Sequence, residues 1–236
     1  MSAIADKLQA VHQRIAAAAH AAGRSPDSVR LLAVSKTKPL AAIEAAMLAG
    51  QTDFAENYVQ EGLEKCLALK HCASKSNGIL TWHFIGPLQS NKSRAVAEHF
   101  DWVHSVDRLR LAQRLSEQRP PELPPLNVCV QVNISAEASK SGCTPEETGA
   151  LCAAIAALPR LQLRGLMAIP EPSAEPQQQR AAFRALRELA ATIEQTKTLP
   201  LDTLSMGMSD DLEAAIAEGA TMVRVGSAIF GERNDT

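Results

Sequence analysis

Aromatic residues are scarce in this sequence, 3% of 236 positions, with a single tyrosine, Tyr58. Neither sign of charge is in excess: 24 Lys and Arg face 26 Asp and Glu, a formal net charge of −2. That balance leaves no polycationic footprint for nucleic acid or an anionic membrane. Long apolar runs are missing too. None approaches the ~20 residues of a membrane-spanning helix. Asp6, Lys7, His12 and Arg14 interrupt the N-terminal stretch where a secretory signal needs unbroken apolar sequence, so a cytoplasmic protein is expected. Cys66, Cys72, Cys129, Cys143 and Cys152 are odd in number and show neither C-x-x-C nor Cys/His zinc spacing. They read as reduced packing residues, with no disulfide or metal framework.

Hydrophobic residues make up 46% of the chain and charged residues 21%, a balance that excludes disorder as the main state and supports a sizeable core. Alanine, the strongest helix former, occurs 40 times, many in stretches such as Ala16 to Ala19 and Ala41 to Ala46, so much of the chain should be helical. Ile4, Leu8, Val11 and Ile15 fall on one helical face before Gly23, predicting an N-terminal helix.

After it comes Leu31 to Ser35, an apolar run too short for a helix, then Lys36-Thr37-Lys38-Pro39 and an Ala-rich helix over Leu40 to Leu48. This strand, loop and helix unit recurs. Strands are predicted at Asp53 to Ala55, Trp82 to Ile85, Trp102 to Val106, Asn127 to Ile134, Leu161 to Ile169, Thr203 to Met206 and Met222 to Val225, each followed by a helical segment. Eight such units imply a parallel sheet, because each crossover helix returns the chain to the same end, and eight is the number that closes a barrel. The expected fold is therefore an α/β (β/α)8 TIM barrel with an extra N-terminal helix, one domain over residues 1–236; an open doubly wound sheet is the alternative. The Pro-rich stretches Pro120 to Pro125 and Pro170 to Pro176 fall where helices end or begin, so neither is read as a domain linker.

In a parallel barrel the functional face lies at the C-terminal strand ends. That filter selects Lys36: an amine at the end of the first strand, in a partly dry mouth, is a Schiff-base nucleophile, against the plainer reading of a solvated surface charge. It also selects the turns after strands seven and eight, Ser205-Met206-Gly207-Met208-Ser209-Asp210-Asp211 and Val223-Arg224-Val225-Gly226-Ser227-Ala228. Amides at a helix start lack intrahelical partners and glycine admits a phosphate close to them, with Ser209 and Ser227 adding hydroxyls; Ser209 as a plain helix cap is the rival reading. Arg224, inside the eighth strand, must find acceptors or solvent and so faces the barrel mouth. His83 reads as a satisfied core or rim histidine without a role, since no acidic partner is visible at strand-end spacing.

Seven ordered blocks then acquire a common meaning: Ala33-Val34-Ser35-Lys36-Thr37-Lys38-Pro39, Glu56-Asn57-Tyr58-Val59-Gln60-Glu61, His83 to Lys92, Ser139 to Gly142, Gly165 to Ile169, Ser205 to Asp211 and Arg224-Val225-Gly226. Together they resemble the pyridoxal phosphate homeostasis protein family, single-domain relatives of the alanine racemase barrel. The resemblance spans nearly the whole chain. It implies that Lys36 holds pyridoxal 5′-phosphate as an internal aldimine, that Ser209, Gly226 and Ser227 bind its phosphate, that Arg224 faces the pyridine nitrogen, and that Asn57 and Met206 touch the ring. The family usually has Gly-Thr where this chain has Gly226-Ser227, which keeps the hydroxyl.

A charged Arg at the ring nitrogen keeps that nitrogen unprotonated and weakens the cofactor as an electron sink. Alanine racemase relatives also draw a second acid/base group from a separate β-domain and a partner subunit, whereas this chain stops at Thr236 and a site open on one side is expected. The resemblance thus implies a monomeric carrier that buffers the free aldehyde, affects amino-acid and keto-acid balance indirectly and makes transient contact with pyridoxal-phosphate-dependent apoenzymes. Lys38 and Lys140 are candidate secondary acceptors, or plain loop lysines. Two rivals stay open: a weak racemase or lyase acting on a small amino acid, and a barrel enzyme acting on a phosphorylated carbonyl substrate through Lys36.

Overall fold

The computed structural model describes residues 3–69, 80–135, 141–173 and 175–232. The chain begins with helix α1 (Ala3–Ala21) and then alternates: β1 (Arg30–Val34), α2 (Leu40–Leu48), β2 (Asp53–Glu56), α3 (Val59–Leu69), β3 (Thr81–Phe84), α4 (Ser93–His99), β4 (Trp102–Val106) and α5 (Leu109–Gln118). It continues with β5 (Leu126–Gln131), α6 (Pro145–Ala156), β6 (Leu161–Met167), α7 (Pro176–Lys197), β7 (Thr203–Ser205), α8 (Leu212–Ala217), β8 (Met222–Val225) and α9 (Ser227–Phe230). Every neighbouring pair of strands is parallel, and β8 returns to β1 with Leu32 opposite Arg224, so the sheet closes into an eight-stranded barrel. The open-sheet alternative is thereby excluded. Strands five and six are shorter than the apolar runs suggested, ending at Gln131 and Met167, because apolar side chains continue into the loops at the barrel mouth.

The main core lies between strands and helices, where Phe54, Phe84, Phe100, Leu111, Leu126, Leu166 and Phe183 are buried. A smaller cluster, including Leu32, Val34, Ala55, Ile85, Trp102, Cys129, Met167 and Met222, is separate from it. Strand alternation places this second set inside the barrel. β6 and β7 approach so closely that a Cβ at Gly165 would stand 1.7 Å from the Thr203 carbonyl oxygen, which leaves room only for glycine.

Local signals explain several element boundaries. Thr144 and Glu147 form a reciprocal capping box at the start of α6, and Pro176 occupies the first turn of α7. The Pro-rich stretch before β5 is tied down by buried Arg119, whose guanidinium donates to the carbonyls of Ala97, Phe100 and Pro124, each at 2.8 Å. It is part of the fold. α1 buries Leu8, Val11, Ile15 and Ala19 and packs on α8 and α9. Among the described residues, no helix is long and apolar enough to cross a membrane. Cys66, Cys129, Cys143 and Cys152 are buried free thiols; burial pushes each thiol up, which keeps them protonated and inert. Cys72 lies outside the described residues.

Candidate functional site

Parallel pairing of Ala33 with Val225 carries the ends of β1 and β8 to the same rim of the barrel. Residues a few positions beyond each strand therefore meet, although nearly two hundred positions separate them in sequence. They line one cleft of about 400 Å³ at the C-terminal strand ends, shared by Lys36, Asn57, Ser209, Arg224, Gly226 and Ser227. Six of the seven residues expected at the site thus surround one space.

Met206 does not join them. It is fully buried in the outer core, because Ser205 before it points into the barrel and strand alternation sends the next side chain outward. Met208, on the turn beyond the strand, lines the cleft instead, and Val34, Ile85 and Ile169 supply further apolar surface. Ser209 is not a helix cap either. Asp211 holds that position at α8, and its carboxylate accepts from the Met208 amide at 2.6 Å. The Ser227 hydroxyl donates to the Ser209 hydroxyl at 3.2 Å, bringing the two turn serines together. From α1, Arg14 donates to the Ser209 carbonyl at 2.9 Å and pairs with Glu213 at 2.8 Å.

Lys36 is half-buried and sits between two anchored neighbours. The Ser35 carbonyl accepts from the buried Lys65 ammonium at 2.7 Å, and the Thr37 amide donates to Glu61 at 2.5 Å. Thr37 has φ +62°, a left-handed conformation costly for a β-branched residue. The Lys65, Glu56 and Glu61 cluster therefore holds the backbone that carries Lys36. Lys38 lines the cleft with its ammonium on the carbonyls of Gly231 (3.0 Å) and Glu232 (2.8 Å). Lys140 lies outside the described residues. Gly86 backs the opposite side: a Cβ there would stand 2.1 Å from the Asn57 carbonyl oxygen, so the glycine lets the two loops touch.

Arg224 is buried at the floor. Its Nη1 donates to the Ser205 carbonyl (2.6 Å) and hydroxyl (2.9 Å), and its Nη2 to the Ala168 carbonyl (2.9 Å). Burial pushes the guanidinium down to about 10, still charged at neutral pH. Nε and the second Nη2 proton have no protein acceptor among the described residues, which leaves donors for a ligand atom. Asn57 Oδ1 is buried and has no partner among the described residues.

His83 is the satisfied core histidine expected, and only the premise that it lacks an acidic partner is corrected. An acidic partner exists: its Nε2 lies 3.1 Å from Asp53, on the neighbouring strand β2, and its Nδ1 lies 3.0 Å from His104 Nε2. The contact depends on barrel register, in which Ala55 stands opposite His83, and no local spacing announces it.

This closed parallel barrel, with an amine and a serine-lined turn at one mouth, defines a class: the model of the alanine racemase N-terminal domain matches residues 7–234. The chain is 62% identical over 234 residues to the pyridoxal phosphate homeostasis protein of Pseudomonas aeruginosa, covering 99% of this chain and 97% of that one. It is 58% identical to the protein of the same name from Escherichia coli K12, covering 99% and 98%. PipY of Synechococcus elongatus, solved with PLP bound, superposes with a TM-score of 0.82 at 39% identity, over 97% of this chain and all of that one. The chain belongs to the pyridoxal phosphate homeostasis protein family.

Proposed function

We propose that this protein binds pyridoxal 5′-phosphate in the Lys36 cleft and maintains its supply within the cell, acting as a carrier and affecting amino-acid and keto-acid balance through it. The observation that carries the reading is the convergence of an anchored lysine, two touching serine hydroxyls and a buried arginine on a single cleft. The fit is chemical as well as spatial. Among the described residues Asn57 Oδ1 is a buried acceptor without a partner and Arg224 keeps two N–H groups unspent; a polar ring answers both.

In this assignment Lys36 attaches the cofactor covalently. Ser209, Gly226 and Ser227 hold its phosphate, Asn57 contacts the ring, and Arg224 faces the ring nitrogen. When bound, pyridoxal phosphate supplies a reactive aldehyde and an electron-withdrawing ring. Arg224 remains charged and donates, so it excludes a proton from the ring nitrogen and damps carbanion chemistry. The same donor favours holding over turnover. The PLP-bound PipY structure and the names of the bacterial relatives support this reading. Recipient apoenzymes are the partners we infer, by transient contact.

The test is an absorption spectrum of the protein with pyridoxal phosphate before and after borohydride, with the mass of the modified peptide. Modification should fall on Lys36, and Lys36→Ala should abolish the band near the visible edge; an unchanged band removes Lys36 from the site. Deuterium wash-in at the α-carbon of small amino acids separates carriage from catalysis: sustained exchange with turnover would overturn the carrier assignment.

A further inference from the structure

Behind Arg224, the barrel interior holds a line of polar side chains that the cleft itself does not use. Ser205 Oγ accepts from Arg224 Nη1 at 2.9 Å and lies 2.8 Å from His104 Nδ1. His104 Nε2 lies 3.0 Å from His83 Nδ1, and His83 Nε2 lies 3.1 Å from Asp53 Oδ1. Ser205, His104 and His83 are fully buried. The line crosses the barrel from its C-terminal mouth to its N-terminal end, touching β8, β7, β4, β3 and β2.

Counting protons fixes its direction. A guanidinium only donates, so Ser205 Oγ gives Arg224 a lone pair and its hydroxyl proton goes to the remaining neighbour, His104 Nδ1. That nitrogen is then bare, and His104 carries its proton on Nε2, directed at His83 Nδ1. His83 in turn carries its proton on Nε2, directed at the Asp53 carboxylate. In the reverse direction a bare His83 nitrogen would face that carboxylate, two acceptors at 3.1 Å. Asp53 stays ionised: burial raises its carboxyl, but the hydrogen bonds from His83 and Thr52 and the charge of Arg30 outweigh it and hold it below the usual range. A charged imidazole is disfavoured at both positions: burial pushes His83 down against the hydrogen bond to Asp53, and burial together with the Arg224 charge pushes His104 down.

We propose that Ser205, His104, His83 and Asp53 form a one-way hydrogen-bond chain, both imidazoles neutral and protonated on Nε2, that positions the Arg224 guanidinium at the floor of the cleft. The carboxylate at the far end sets the direction. It keeps the Ser205 proton turned away from Arg224, so the serine remains an acceptor and the two spare N–H groups stay aimed at the ligand space. These are positioning residues acting through Arg224. The effect on ligand rests on the reading of the cleft as a pyridoxal phosphate site, whereas the proton arrangement does not.

The first test uses the full chain without ligand, labelled with 15N in histidine and arginine. Long-range 1H–15N correlation should give pyridine-type Nδ1 and pyrrole-type Nε2 signals for His83 and His104, with hindered rotation about the Arg224 Cζ–Nη bonds. An Nδ1–H tautomer or an imidazolium at either histidine overturns the chain. Asp53→Asn should populate both tautomers of His83, because an amide offers a donor and an acceptor. His104→Leu should free Arg224 rotation and weaken pyridoxal phosphate binding roughly tenfold, because Ser205, no longer donating to His104, can turn its proton toward Arg224 and cease to accept from it. His104→Gln, which can accept from Ser205 and donate to His83, should restore most of both. Should His104→Leu fail to fold, Ser205→Ala carries the same two readouts. Unchanged Arg224 rotation in these variants overturns the positioning role. If the wild type forms no borohydride-stable adduct on Lys36, the cofactor reading fails, and the ligand-free rotation and tautomer data still decide the chain.

Discussion

Replacing Lys65 by Met probes how the Lys36 loop is held. Lys65 is only 5% exposed and donates to Ser35 O, Glu56 Oε1 (2.9 Å) and Glu61 Oε1 (2.6 Å). Glu56 is fully buried; one oxygen accepts from Lys65 and Ser35 and the other has no partner among the described residues. Removing one member of a buried ion pair strands the other, at a cost of about 3–5 kcal/mol. Proton uptake by Glu56 limits that cost, since each unit of pKa is worth about 1.4 kcal/mol. We expect a loss of about 3 kcal/mol near neutral pH, a large share of a typical domain's ~5–15 kcal/mol. Burial already raises the Glu56 carboxyl, against the hydrogen bonds of Ser35 and Lys65, and losing the ammonium raises it further. A carboxyl raised on folding contributes stability that is complete below its unfolded pKa and is lost as pH rises through the folded one. The deficit of Lys65→Met should therefore be small near about pH 5 and grow toward about pH 8. Adding Glu56→Gln should recover at least roughly 1.5 kcal/mol at the higher pH. Urea unfolding followed by far-ultraviolet circular dichroism measures both. A deficit independent of pH, or a double variant no more stable than the single one, would refute the reasoning.

Three further outcomes follow from particular contacts. Gly165→Ala forces a methyl group into the Thr203 carbonyl and should cost about 3 kcal/mol or more, seen as a lower urea midpoint; a wild-type midpoint contradicts the close approach of β6 and β7. Ser209→Ala and Ser227→Ala should each weaken pyridoxal phosphate roughly tenfold, as for a hydrogen bond to a charged group, while binding of pyridoxal without phosphate stays unchanged; equal losses for both ligands would move the phosphate elsewhere. Glu218 is buried beneath Arg180, Arg184 and Arg187. Burial raises its carboxyl, but Arg184 and Arg180 outweigh that and hold it below the usual range. Its contribution is therefore present above the unfolded pKa and lost as pH falls through the folded one. Glu218→Gln should be less stable by roughly 1–2 kcal/mol at neutral pH, a gap that is still present at about pH 4 and closes only as pH falls below the ordinary carboxylate range, followed in thermal melts.

The fold class was legible because eight short apolar runs alternate with Ala-rich helical segments, which implies a parallel sheet of the strand number that closes a barrel; closure itself is shown by the pairing of β8 with β1. Lys36, Arg224 and the two serine turns were legible for a related reason: each follows or interrupts a strand, and strand ends of a barrel converge. Met206, expected at the ring from the family resemblance, falls outside the cleft by strand parity. A shift of one residue reverses the face of a β-strand, and apolar content alone cannot say whether a methionine beside Ser205 looks inward. The His83, His104 and Asp53 contacts were hidden by separation along the chain, since they arise from pairing of β2, β3 and β4. A signal did exist: Asp53, His83 and His104 are ionisable residues within three successive short strands, and barrel closure stacks inward positions in layers.

The extra N-terminal helix has a physical reason to exist. The cleft straddles the seam where β1 meets β8, so its two halves come from opposite ends of the sequence and are joined only when the barrel closes. Closure of so long a loop carries an entropic cost that local contacts cannot offset. α1 and the turn after it span the seam: Arg14 of the helix holds the Ser209 carbonyl and Glu213, and Arg24, just beyond it, holds the carbonyls of Ile216 (2.9 Å) and Ala220 (2.8 Å). Lys38 reaches Gly231 and Glu232 from the other side. Each contact ties the first quarter of the chain to the last units, the ones that carry the serine turns. A ligand gripping Lys36 and those turns together acts in the same sense, and at a hundredfold excess over its Kd would add about 2.7 kcal/mol to the folded state. Binding at this cleft and closure of the barrel are therefore coupled, because the same seam supplies both.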